Sequence, residues 1–146
     1  MKTIFDTSVL VASCVKNHPK HNVARKWLEK SSKMEIEAYV ASHSLIEAYS
    51  VLTRAPFQPK IGSAEAYLML ERNILSHVRQ INLEADNYLE VLKKLSENKF
   101  VGGISYDAII LACAKKYKLQ QLISANAKDF IKIIRGFQWD LEIIGI

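Results

Sequence analysis

The sequence predicts an α/β protein: three layers, with a central, mostly parallel sheet of about five strands covered by helices on both faces. Three observations predict it. The strand-like runs are short and hydrophobic, as strands buried on both faces must be. Each is followed by a stretch with helical apolar spacing, and strict alternation of the two argues for strand–helix–strand crossovers. Finally, carboxylates stand at the ends of strand-like runs or in the helices that follow, the edge at which open α/β sheets place ligands.

The chain has 146 residues, of which 49% are hydrophobic. That length suits one domain with a real core, taken here as residues 1–146. No apolar run is long enough to span a bilayer, and Asp6 interrupts what would be a secretory apolar segment. Cys14 and Cys113 lie inside apolar runs, where buried free thiols in a reducing cytoplasm are expected rather than a disulfide. The net charge of +5 is compatible with a polyanionic partner.

Ile4–Phe5 reads as the first strand, then Asp6 places a charge in an apolar run. An unpaired buried carboxylate is costly, so Asp6 either caps the next helix or belongs to a site. Ser8 to about Val15 reads as a short helix, ending near Asn17-His18-Pro19. His21–Ser31 is a second, with Val23, Trp27 and Leu28 on its apolar stripe. His18 and His21 lack a third His or Cys nearby, and read as exposed turn and cap residues rather than metal ligands.

Glu35–Ala41 is strand-like, and Ser42 to about Arg54 is a helix. Ser44-Leu45-Ile46-Glu47 matches a capping box, which gives Glu47 a purely structural reading. Pro56 and Pro59 mark a loop. A helix from Gly62 or Ser63 to about Ser76 precedes a strand at His77–Leu83, and a helix over Glu84–Asn98 follows. The apolar residues around Ala66–Leu70, with Tyr49, Leu52 and Phe57, exceed what a small core absorbs and predict an interface. After Gly102-Gly103, the run Ala108–Ala114 is apolar all round, so its helix is expected to be deeply buried. Asp107 stands in its first turn, where an acid also suits the helix dipole. Gln121–Ser124 is the fourth strand. A turn and short helix carry Asn126, Asp129 and Phe130, and Leu141–Ile146 is the last strand.

Asp6, Glu47, Asp107 and Asp129 each have a bland capping explanation. Brought together at one sheet edge, they would repel one another and bind protons tightly unless a cation neutralised them. Ligands that are all oxygen favour Mg2+ or Mn2+.

The order of DTSVLVA near the start, IEAYSVLTR in the middle, then SYDAIILACAKKY and LISANAKDF, resembles the PIN-domain ribonucleases. Within them the chain is most similar to the VapC-type toxins of toxin–antitoxin pairs. The resemblance covers essentially the whole chain, including HPKHNVARKWL after the first helix. It implies a Mg2+- or Mn2+-dependent endoribonuclease, with RNA, a VapB-like antitoxin and a second copy of itself as partners. It also implies catalytic roles for Asp6, Glu47, Asp107 and Asp129, with Asp6 and Asp107 on the metal. Asn126 occupies a place that is acidic in some relatives, and Asp129 is the nearby carboxylate. Thr7, Ser8 and Ser124 are implied as supporting hydroxyls. Lys16, Lys20, Arg25, Arg54 and Lys128 are candidate RNA contacts, each with a solvated surface charge as its alternative. A haloacid-dehalogenase-like phosphatase needs a second Asp where Ser8 stands, and no receiver-domain acid set is present. The rival from another class is a non-catalytic PIN-like module that binds RNA or protein.

Overall fold

β1 (Lys2–Phe5) is the middle strand of a five-stranded sheet with the order β3-β2-β1-β4-β5. The computed structural model describes residues Met1–Ile146. β2 (Glu37–Ala41) and β4 (Gln121–Ser124) flank β1, while β3 (Arg79–Ile81) and β5 (Glu142–Gly145) form the edges. Every pairing is parallel, a purer pattern than the mostly parallel sheet expected.

Side chains alternate across a strand, so each central strand feeds two cores. Phe5, Ala38, Val40 and Ile123 face one; Ile4, Tyr39, Ala41 and Leu122 face the other. The first core is closed by α1 (Thr7–Cys14), α2 (His21–Ser32), α3 (Ser42–Arg54) and α4 (Ser63–Met69). The second is closed by α5 (Ala85–Glu97), α6 (Ile104–Lys116) and α7 (Ala127–Phe137). This is the three-layer arrangement expected. α1 is almost wholly buried, and α6 buries Ala108 and Ile110–Ala114 in one run, as an all-round apolar helix must. Cys14 and Cys113 are free and buried.

Four details differ from the sequence reading. The α4 helix runs on into a π-helical turn, Leu70–Leu75, rather than continuing regularly. The helix after β4 is not short: α7 spans 11 residues, because Phe130, Ile133 and Phe137 recur at helical spacing and are buried. The proposed capping box does not form. α3 begins at Ser42, three residues earlier than a Ser44 cap requires, and the Ser44 hydroxyl is buried without a partner. The apolar excess around Ala66–Leu70 divides: Ala66, Leu70 and Leu52 are buried and Phe57 packs against the core, while Tyr49, Tyr67 and Leu68 are exposed, as the predicted interface requires. Ile46, Leu89, Leu92, Val101 and Tyr106 are also exposed.

The topology selects one edge of the sheet. Strand order runs outward from β1 to β3 and then reverses to β4 and β5. The carboxyl ends of β1 and β4 therefore bound a crevice that no crossover helix fills, the usual place for a ligand.

Candidate active site

Asp6 is the residue at which β1 becomes α1. Its backbone N–H still bonds the Ile123 carbonyl at 3.2 Å, while its side chain is turned to the helix. Oδ1 accepts from the Val9 N–H at 3.1 Å and from the Ser8 hydroxyl at 2.5 Å; Oδ2 accepts from the Ser124 hydroxyl at 2.6 Å. The capping and site readings of Asp6 thus hold together: one side chain ends the strand, starts the helix and lines the crevice. Asp6 is 4% exposed. Burial pushes its carboxyl upward, opposed by the bonds from Ser124, Ser8 and Val9.

The end of β4 is tied to the same group. The Asn126 N–H donates to the Ser124 oxygen at 2.7 Å, and the Ala125 N–H donates to the Ser8 oxygen at 2.9 Å. Two hydroxyls therefore join the turns after β1 and β4: both donate to Asp6, Ser8 accepts from Ala125 across the sheet, and Ser124 accepts from Asn126 in its own turn.

Glu47 comes from α3 and is partly buried. The Thr7 hydroxyl donates to its Oε2 at 3.2 Å. His43, one turn earlier, holds Nε2 at 3.6 Å from the same oxygen, beyond hydrogen-bond reach. Burial holds the His43 ring below its ordinary pKa despite Glu47, so this contact is not an ion pair at neutral pH.

Asp107 enters from the first turn of α6. Its carboxyl is pushed up to about 7, first by burial and then by the charges of Asp6, Asp129 and Glu47. Four acids from four segments therefore share one electrostatic neighbourhood. Asp6, Glu47, Asp107 and Asn126 line a single cavity of about 330 Å³, with Thr7 and Ser8 between them. Asp129 is not on its wall; it lies behind Asn126, whose side-chain amide donates to it at 3.3 Å.

The wall carries no Lys or Arg. No three acid, His or Cys side chains are yet drawn around one point at ligating range. The donors are carboxylate, hydroxyl and amide oxygens, and burial together with the neighbouring negative charges makes Asp107 hold a proton more tightly than an ordinary carboxyl. That set fits a hard divalent cation and suits zinc poorly.

The remaining cavity wall is formed by Val11, Val51 and His18, none of which the sequence assigned to the site. His18 reads as an exposed turn residue, yet the loop after α1 brings it, half-buried, onto the wall of the cavity that the acids line. The five candidate RNA-contacting residues all lie outside this wall. Lys16 and Lys20 are exposed on the His18 loop, and Lys16 borders a separate cavity beside Phe57 and Met69. Arg25 is partly buried on α2, while Arg54 and Lys128 are exposed at the end of α3 and the start of α7. An apolar groove beside Tyr88, Leu92 and Tyr106 is larger, about 510 Å³, so chemistry rather than size singles out the site.

The family model described as "PIN domain" matches residues 3–135. Ribonuclease VapC40 of Mycobacterium tuberculosis is 31% identical over 110 residues, 75% of this chain and 76% of the relative. Ribonuclease VapC27 of the same species is 27% identical over 125 residues, 85% of each chain. Among solved structures, VapBC2 from Rickettsia felis, bound to a promoter DNA fragment, matches with a TM-score of 0.72 at 19% identity, covering 100% of this chain and 99% of that one. M. tuberculosis VapC20, a toxin that cleaves the sarcin–ricin loop, matches with a TM-score of 0.70 at 17% identity, covering 89% and 94%. These two likenesses show the fold. A family match across nearly the whole chain, joined to identity with a VapC ribonuclease over three-quarters of it, places this chain in the PIN-domain family, among the VapC ribonucleases.

Proposed function

We propose that the chain is a Mg2+- or Mn2+-dependent endoribonuclease that hydrolyses RNA phosphodiester bonds, and that it is the toxin of a VapBC-type pair. The observation that carries this reading is the convergence of Asp6, Glu47 and Asp107 on one cavity without a basic side chain on its wall. Burial and then the charges of the other acids raise Asp107, so the cluster is unfavourable alone and favourable around a dication.

In this reading Asp6 and Asp107 hold the metal, and Glu47 and Asp129 complete the negative field. A divalent cation bound there supplies Lewis-acid activation of water and of the scissile phosphate. Asp6 is preorganised by Ser8 and Val9 on Oδ1 and by Ser124 on Oδ2, so Oδ2 keeps a lone pair for the ligand. Thr7 orients Glu47 in the same manner. Asn126 presents a neutral amide to the cavity, while Asp129 anchors that amide from behind. Water's oxygen bonds to phosphorus as the bond from phosphorus to the leaving oxygen breaks, and that oxygen takes up a proton.

The exposed bases Lys16, Lys20, Arg54 and Lys128, with Arg25, are proposed to hold flanking phosphates, which makes binding salt-dependent. Residues 1–146 are taken as one domain acting in the cytoplasm; no helix is long and apolar enough to cross a membrane. Support for an antitoxin partner comes from proteins of the same fold solved as VapBC and FitAB assemblies; support for self-association comes from the exposed apolar side chains Tyr49, Tyr67 and Leu68. Intact acids argue against a non-catalytic module.

Incubating a pool of cellular RNAs with the protein, with Mn2+ or with EDTA, and mapping the new ends tests the reading. Discrete metal-dependent cuts, absent with Asp6→Asn, are expected. Cuts that survive EDTA or Asp6→Asn would place the chemistry elsewhere. Co-expression with a neighbouring antitoxin gene should give a stable complex with suppressed cleavage.

A further inference from the structure

We propose that His18 is a substrate-contacting residue: its ring donates a hydrogen bond, through Nε2–H, to a phosphate oxygen of RNA lying across the acid cavity. The inference rests on the ribonuclease reading above.

A backbone partner fixes the tautomer of the His18 ring. The backbone N–H of Lys20 donates to His18 Nδ1 at 3.0 Å. A backbone amide is always a donor, so Nδ1 must be the lone-pair nitrogen, and in neutral imidazole the proton then resides on Nε2. Protonating Nδ1 would sacrifice that bond. The neutral ring is further favoured by burial and by the neighbouring His21 and Lys20, which lower its pKa. His21 does not compete for the same role, because its Nδ1 faces the Ala12 carbonyl at 2.9 Å.

With Nδ1 engaged and Nε2 protonated, the ring has no lone pair for a metal. It is therefore a donor and not a ligand. It nevertheless lines the cavity that Asp6, Glu47 and Asp107 line, and it is the one wall residue with a ring N–H. Phosphodiester oxygens are acceptors, and the carboxylates repel them unless a dication or a donor intervenes. A Lys at this place would supply a positive charge that competes with the metal for the acids. A neutral N–H contacts phosphate without discharging the cluster. Pro19 follows at once and restricts the His18 backbone, and the bond from the Lys20 N–H to Nδ1 fixes the ring on it.

The test uses the full chain and compares His18→Ala, His18→Gln and His18→Lys. Affinity for a short labelled single-stranded RNA is measured by anisotropy in Ca2+, Mn2+ binding by the shift in melting temperature, and cleavage in Mn2+. His18→Ala is expected to weaken RNA binding and raise KM by about tenfold, the worth of one hydrogen bond to a charged group. Its kcat and its Mn2+-induced shift should stay near wild type. His18→Gln, whose amide reaches a similar distance, should recover most of the RNA affinity. His18→Lys should reduce the Mn2+ shift by competing for the acids.

Unchanged RNA affinity and KM in His18→Ala would overturn the inference. So would loss of the Mn2+ shift in His18→Ala, which would make the residue a ligand or a structural support. The two readings fail separately. Wild-type protein that binds RNA through His18 without cleaving it would reject the nuclease and keep the contact. Wild-type protein that neither binds nor cleaves RNA would reject both.

Discussion

The Ser124 hydroxyl, at the end of β4, donates to Oδ2 of Asp6, at the end of β1, across 2.6 Å. The residues are 118 apart in the chain yet adjacent in the sheet, because β1 and β4 are parallel neighbours in register. This bond sits where strand order reverses, so it links the fold's topology to the chemistry of its site.

Ser124→Ala should therefore be costly out of proportion to its size. It strips a donor from a buried carboxylate and an acceptor from the Asn126 N–H. A loss of about 1–3 kcal/mol is expected by urea denaturation, as for other hydrogen bonds to charged or buried groups. Ser124→Thr should retain most of the stability. Equal stability of the Ala variant and wild type would show that the bond is not maintained in solution.

Asp6 allows its two roles to be separated. Asn caps helices about as well as Asp, so Asp6→Asn should keep α1 and the melting temperature while reducing cleavage at least a hundredfold. Asp6→Ala removes the cap as well, and should lose a further ~1 kcal/mol of stability. If the two variants melt alike, the Val9 bond contributes nothing.

Asp107 gives a pH dependence with a definite sign. Its folded pKa, about 7, lies above the ordinary value of 3.8. The folded state thus holds a proton that the unfolded state releases. The corresponding stability is fully present below 3.8 and is lost as pH rises through about 7. Without metal, Asp107→Asn should leave the melting temperature unchanged in acid and raise it by a few degrees in mild alkali. A variant that melts higher than wild type equally at both extremes would contradict a titration origin. In wild type, Mn2+ must displace this proton, so its affinity should climb with pH and level off above about 7.

Glu47→Gln keeps an acceptor for the Thr7 hydroxyl but removes one charge from the cluster. Apo stability should change little, because the side chain is partly exposed, while Mn2+ affinity falls several-fold by calorimetry. Full Mn2+ affinity in Glu47→Gln would remove Glu47 from the metal field.

The alternation of short apolar strands and amphipathic helices was sufficient to indicate the layers, since period-two and helical spacing are local properties of the chain. Strand limits such as Gln121–Ser124 and helix limits such as Ser42–Arg54 were readable for the same reason. Asp6 and Asp107 were legible because a charge inside an apolar run is locally anomalous. Local pattern failed where a distant partner decided the outcome. Ser44 and Glu47 have the spacing of a capping box, but α3 starts earlier and Thr7 of α1 takes the carboxylate instead. Around Ala66–Leu70 a sequence does not reveal which apolar residues enter the core: Ala66 and Leu70 do, Tyr67 and Leu68 stay exposed. His18 looked like an ordinary turn residue. Only the folding of its loop placed it on the wall of a cavity that three carboxylates also line, and only the Lys20 N–H chose which nitrogen carries the proton. Chain chemistry determined the layers and the acids; three-dimensional closure decided which groups face one another, because those contacts join residues far apart in sequence.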